Sequence, residues 1–238
     1  MEPVYDDIGR LDSFTASAPM ERSGWLTSGM ELYRDRRQAG RVLAAHLAAV
    51  ELPADSVVLG LPRGGVICAK EVGVSSGVRP GVLIVRKLGV PTQPELGFGA
   101  IASGGFMVLN PEIASRMSAG EMELVASRER RELERREVAY GAKQLDTKGR
   151  VVVLVDDGLA TGATMRVAIQ ATRSQSPARV IVAVPVAARD SLARVADLAD
   201  QVVCPLTPAR FRSVGEWYEA FGEVTDAEVI KVLADPAG

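Results

Sequence analysis

The chain has 238 residues, 47% hydrophobic and 24% charged, with a net charge of -2. That length suits one principal domain with a full core, and the near-neutral balance offers neither a basic field for nucleic acid nor an acidic tail, so a small-molecule ligand is the first expectation. Two cysteines and one histidine argue against a zinc or iron centre and against a Ser-His-Asp triad, which leaves a hard cation held through oxygen as the metal to consider.

Residues 1–29 mix Ser, Gly, Pro and charge without periodicity and read as a loosely attached extension, with one domain over 30–238. The start, "MEPVYDDIGR", lacks the basic and apolar segments of a signal peptide. No apolar run approaches the roughly 18 residues of a membrane span, so a cytoplasmic protein with no membrane partner is expected. From Leu32, apolar positions at Ala39, Leu43, Leu47 and Val50 recur at helical spacing, predicting a helix over 32–50 with His46 on its packed face.

Short β-branched runs follow at 57–61, 82–87, 106–110, 151–155, 179–186 and 201–205. Several are continuously apolar, as in strands buried on both faces. Between them lie helical stretches at 65–73, 118–140, 164–174 and 189–199, the second opened by the capping-box spacing Ser118–Glu121. Strands alternating with helices predict an α/β fold with a central, mostly parallel sheet flanked by helices. In 118–140 Arg and Glu nearly cancel, which reads as a solvated helix face rather than a nucleic-acid surface. Cys68 and Cys204 sit in apolar settings and read as inert core thiols.

The chemistry concentrates in "VVVLVDDGLATGAT", 151–164. A buried strand ends in Asp156 and Asp157, then a turn holds Gly158, Ala160, Thr161, Gly162, Ala163 and Thr164 before a helix begins. Free N–H groups and the positive helix end there favour a phosphate, and small side chains let it approach the backbone. Two carboxylates beside a phosphate cradle must face another part of the ligand, and the paired hydroxyls of a ribose suit them. The ligand implied is a ribose 5-phosphate.

This stretch resembles the 5-phosphoribosyl 1-diphosphate (PRPP) fingerprint of the type I phosphoribosyltransferases. "LGLPRGGV", 59–66, resembles their diphosphate loop, and "IVRKLGV", 84–90, resembles the strand end whose basic residue reaches the leaving group. The resemblance implies transfer of the phosphoribosyl group to a nitrogen acceptor, with Mg²⁺ as cofactor and with Arg63, Lys87, Asp156 and Asp157 as the catalytic set. It implies PRPP contacts from Gly64, Gly65, Arg86 and the turn residues Gly158, Ala160, Thr161, Gly162, Ala163 and Thr164, with Asp156 and Asp157 meeting the metal directly or through water. It also implies a cis Pro62–Arg63 peptide, and dimers are common in the family.

The Gly- and Pro-rich stretch 88–105, holding Glu95, resembles the flexible loop that closes over the reaction centre. The aromatic tail, within 206–235, is a candidate hood over the acceptor, with packing of a C-terminal helix as the alternative. Gly97–Ala102 satisfies a dinucleotide pattern on paper but follows no strand, and the turn lacks the lysine of a nucleotide triphosphatase loop. A PRPP-sensing regulator that binds without turnover is the rival reading. Members that use hypoxanthine or guanine carry an acid before the Thr-Gly pair, where this chain has Ala160.

Overall fold

The structure, a computed structural model, describes residues 32–142 and 146–235. The extension at 1–29 lies outside them, as does the side chain of Glu95.

Helix α1 (Arg36–Leu47) starts at Asp35, whose carboxylate accepts the Gln38 N–H at 2.8 Å. Its buried face is Ala39, Gly40, Leu43, Ala44 and Leu47. His46 departs from expectation: it is exposed, with Nδ1 2.8 Å from the Val42 carbonyl oxygen, because it falls beside rather than on that stripe. Strand β1 (Val57–Gly60) and helix α2 (Gly64–Ser76) follow, then the two-residue strand β2 (Gly81–Val82).

Here the chain departs from the predicted single strand over 82–87. It leaves the sheet at Leu83–Ile84 and forms a separate antiparallel sheet of β3 (Val85–Val90), β4 (Gln93–Ala102) and β5 (Phe106–Leu109). The stretch expected to be a loop is therefore mostly strand, and 106–110 pairs antiparallel to β4. Its glycines, which suggest a loop, serve close strand approach instead: a β-carbon on Gly89 would meet the Pro94 carbonyl at 2.5 Å, and one on Gly99 the Val108 carbonyl at 2.5 Å. Leu88, Phe98 and Ile101 anchor this sheet in a core shared with later helices.

After the short α3 (Pro111–Ala114), α4 (Ala119–Ala139) opens on a complete Ser118–Glu121 capping box. Strand β6 (Val151–Val155), α5 (Ala163–Arg173), β7 (Arg179–Ala183), α6 (Arg189–Ala196) and β8 (Gln201–Val203) complete the α/β unit, and a 3-10 turn at Val214–Trp217 precedes α7 (Asp226–Ala234). The main sheet is parallel throughout in the order β2-β1-β6-β7-β8.

Alternate residues feed opposite faces. Leu59, Leu154 and Val182 pack with Met165 and Ile169 of α5, whereas Val58, Val153 and Ile181 pack with Leu43 of α1 and Val72 of α2. Strands β1 and β6 are neighbours whose following helices lie on opposite faces, so the order reverses between them. A crevice opens at the carboxyl ends of strands at such a point, and both expected phosphate-binding loops leave the sheet there. Among the described residues no helix is long and apolar enough to cross a membrane.

Candidate functional site

The loop after β1 is fixed to its neighbour: the Leu61 N–H donates to the Val155 carbonyl at 2.8 Å, and the Pro62–Arg63 peptide is cis. Helix α2 then begins with two glycines packed against the acid pair, the second against its backbone. A β-carbon on Gly64 would lie 1.9 Å from Asp157 Oδ2, and one on Gly65 would lie 2.5 Å from the Val155 carbonyl oxygen and 3.0 Å from Asp156 Oδ1. Gly64 and Gly65 thus bring the β1 loop directly against the acid pair. Arg63 projects from this loop and pairs with Glu223 of the tail.

The two acids stand in unlike surroundings. Burial, and then the adjacent Asp157 charge, raise the Asp156 carboxyl well above its ordinary range, although its Oδ1 accepts the Asp157 N–H at 2.9 Å. Asp157 Oδ2 accepts from Arg36 Nε at 2.6 Å, with the two side chains only 16% and 12% exposed. The Asp157 carbonyl accepts the Tyr218 hydroxyl at 2.5 Å. Two carboxylates and no third convergent His, Cys, Asp or Glu among the described residues form too small a set for an all-protein metal cage. Such a set fits Mg²⁺, which keeps waters and substrate oxygens in its shell.

Beyond the acids the turn is braced from outside. The Leu159 N–H donates to the Val186 carbonyl at 2.9 Å, and the Ser191 hydroxyl to the Ala160 carbonyl at 2.6 Å. Gly162, at φ 75°, supplies the left-handed residue that turns the chain into α5. Ala160, Thr161, Ala163 and Thr164 remain exposed, and the first N–H groups of α5 have no partner within the helix. Gly158 is different from the contact expected of it: it is buried, and a β-carbon there would meet Val214 at 2.4 Å, so its small size admits the tail.

Lys87 and Arg86 both border a pocket beside α4, but their further contacts differ. Lys87 lines a cavity of about 680 Å³ with Ala163, Thr164, Arg166 and Asn110, between the antiparallel sheet and α5. Arg86 turns to α4, donating to Glu129 Oε2 at 2.9 Å from Nε and 2.5 Å from Nη2. This part-buried ion pair joins β3 to α4. Asp156, Asp157 and Arg63 do not line the cavity of Lys87 and Thr164; they gather around Arg36 and Glu223.

The tail accounts for that second group. Trp217 is 5% exposed and packs with Tyr33, Val186 and Tyr218, so it is core and presents no stacking face. Tyr218 stacks on Phe221 with centroids 4.9 Å apart, and the Arg36 guanidinium carbon lies 3.9 Å above the Phe221 ring. Helix α7 buries Val229 and Val232 with Phe98 and Val125. Sequence reasoning missed Arg36 and Glu223, since one falls in a stretch read as a packed amphipathic helix, the other in a tail read for its aromatics, and no spacing links them to 151–164. A cation at the first position of a helix, where the macrodipole disfavours it, was the available hint.

The phosphoribosyl transferase domain family matches residues 98–219. A Mycobacterium tuberculosis protein provisionally named phosphoribosyl transferase is 46% identical over 208 residues, covering 86% of this chain and 47% of the relative. The chain spans about half the length of the curated relatives it matches. The crystal structure of TT1426 from Thermus thermophilus shares 43% identity, covers 87% of this chain and 100% of its own, and superposes with a TM-score of 0.74.

Proposed function

Because this chain belongs to the phosphoribosyl transferase family, we propose that it transfers the 5-phosphoribosyl group of PRPP to a nitrogen acceptor, with release of diphosphate. The observation that carries this reading is the contact of Gly64 and Gly65 with the acid pair. It brings a loop suited to a diphosphate against two carboxylates suited to ribose hydroxyls, and the chain leads from those carboxylates through the turn 158–162 into the N-terminus of α5, which suits a 5-phosphate.

In this reading Thr161 to Thr164 hold the 5-phosphate through N–H groups and hydroxyls, and Asp156 and Asp157 hold the ribose hydroxyls. Arg63 forks onto the leaving diphosphate, and Lys87 adds a point charge from β3. The protein's work is positioning and charge stabilisation around a C1 that becomes cationic. Mg²⁺, held by Asp156 and Asp157 directly or through water, would supply neutralisation of the diphosphate charge.

The rival reading, a PRPP-binding regulator without turnover, draws on one observation: Arg63 and Asp157 are both engaged by the protein's own side chains. Diphosphate release from PRPP and Mg²⁺ across a panel of nucleobases separates the two. Release with any base establishes transfer, and tight PRPP binding with none establishes sensing. Calorimetry of the Asp156→Asn, Asp157→Asn double variant tests the site: PRPP affinity falls at least tenfold, about 1.4 kcal/mol. An unchanged affinity in the folded variant removes the ribose assignment.

A further inference from the structure

We propose that Arg36 is a positioning residue that makes the acid pair usable by an anionic sugar phosphate and fastens the 214–223 tail beside it. This rests on the reading of Asp156 and Asp157 as ribose ligands. One guanidinium makes three different contacts: Nε donates to Asp157 Oδ2 at 2.6 Å, Nη1 donates to the Gly222 carbonyl at 2.8 Å, and the plane covers the Phe221 ring at 3.9 Å. It is also the second-nearest group to the space above Gly64, with Nε 2.9 Å from where a β-carbon would be.

The Asp157 carboxylate beside a phosphate site repels the ligand the site is built for. A cation bonded to it offsets that charge and, because the contact is only 12–16% exposed, is poorly screened by water. The bond also fixes which Asp157 oxygen remains for a sugar hydroxyl. Lysine could supply the charge, but a single ammonium cannot bond Asp157, bond Gly222 and cover Phe221 at once. Arginine is required only if both tasks belong to this residue. The residue acts through Asp157 and the tail, not by touching the reacting atoms.

A double-variant cycle distinguishes this from a merely structural role. PRPP affinity in Mg²⁺ is measured by calorimetry for the native protein, Arg36→Met, Asp157→Asn and the two combined. Hydrogen exchange is followed over 214–223. Arg36→Met is expected to weaken PRPP at least tenfold in the native background and less than threefold in the Asp157→Asn background. Arg36→Lys, which keeps the cation and guards against a variant that fails to fold, is expected to recover most of the affinity while the tail exchanges at least tenfold faster. Equal losses in both backgrounds, an unaffected Arg36→Met, or unchanged tail protection in Arg36→Lys each overturn the proposal. If the native protein binds no PRPP, the functional reading falls by itself, and tail exchange in Arg36→Met and Arg36→Lys still decides whether Arg36 is the clamp.

Discussion

Gly64 and Asp157 are neighbours so close that a β-carbon on the glycine would sit 1.9 Å from the aspartate's Oδ2, although they follow different strands. The clash would fall on the end of a side chain, so Asp157 can rotate away, but only by giving up its 2.6 Å bond to Arg36. Gly64→Ala should therefore spare the fold and injure the site. An alanine also stiffens the unfolded chain by about 0.4–1 kcal/mol, which offsets part of any strain. The expected outcome is a denaturant stability within about 1 kcal/mol of native and PRPP affinity down at least tenfold. Normal PRPP binding by this variant would detach the loop from the ligand.

Arg63 and Glu223 give a second, weaker relationship. Glu223 is 76% and Arg63 33% exposed, so the pair belongs to the class worth at most about 1 kcal/mol. A chelated diphosphate should displace it easily. Glu223→Gln, which keeps the shape and removes the charge, is expected to tighten PRPP binding by roughly two- to fivefold in calorimetry at low salt. Weaker binding would mean that Glu223 helps the ligand and that Arg63 is not its diphosphate contact.

How much of this was legible in sequence follows from the range of the interactions. Val151–Val155 and its turn were readable because strand, acids, glycine and helix are contiguous, and the observed strand has the expected bounds. The Ser118 cap was readable for the same reason. The split after Val82 was not: residues 82–87 read as one strand, and Val82, Ile84 and Leu88 all pack in the same core with Phe98, Val125 and Leu133, so burial alone does not mark where the chain changes sheets. Gly89 and Gly99 misled because the same residue that permits a loop also permits strands to touch. Arg36 lies 121 positions from Asp157, and no local pattern reports such a bond.

Docking of the tail helix should show in the pH dependence of stability. The Tyr140 hydroxyl donates to Asp226 Oδ1 at 2.7 Å; this bond, opposed by burial and aided by Arg135 at 3.2 Å, holds the Asp226 carboxyl below its ordinary range. A folded value below the unfolded one contributes stability that is full above about pH 4 and is lost as pH falls through the folded value. Burial, then the same bond, pushes the Tyr140 phenol up to about 12, so its contribution is full below about pH 10 and lost as pH rises through 12. Tyr140→Phe should therefore be less stable than native by about 1 kcal/mol across pH 5–9, with the gap closing at both extremes. Urea unfolding from about pH 3 to about pH 12 checks it, and a gap that stays open at both extremes would show that packing, not the hydrogen bond, is what the hydroxyl provides.

Ala160 bears on which acceptors the site refuses. It is exposed on the turn between the acids and α5, and only its carbonyl is engaged, by the Ser191 hydroxyl at 2.6 Å. The resemblance read from the sequence implies an acid at this point in members that use hypoxanthine or guanine, there to exchange a proton with the purine ring, which a methyl group cannot do. No other residue of the turn 158–164 titrates near neutral pH, since it consists of Gly, Leu, Ala and Thr. Hypoxanthine and guanine are therefore expected to be poor acceptors, at least a hundredfold below the best base in nucleotide formation from PRPP and Mg²⁺, the scale on which general acid–base groups act. Ala160→Asp should leave PRPP affinity within about threefold, roughly 0.7 kcal/mol, because the new side chain leaves from an exposed position while Ser191 still holds the carbonyl. Efficient native turnover of either oxopurine would place the proton-transfer group elsewhere, and a collapse of PRPP binding in Ala160→Asp would show that the ligand's phosphate passes over that side chain rather than over the N–H groups of Thr161 to Thr164.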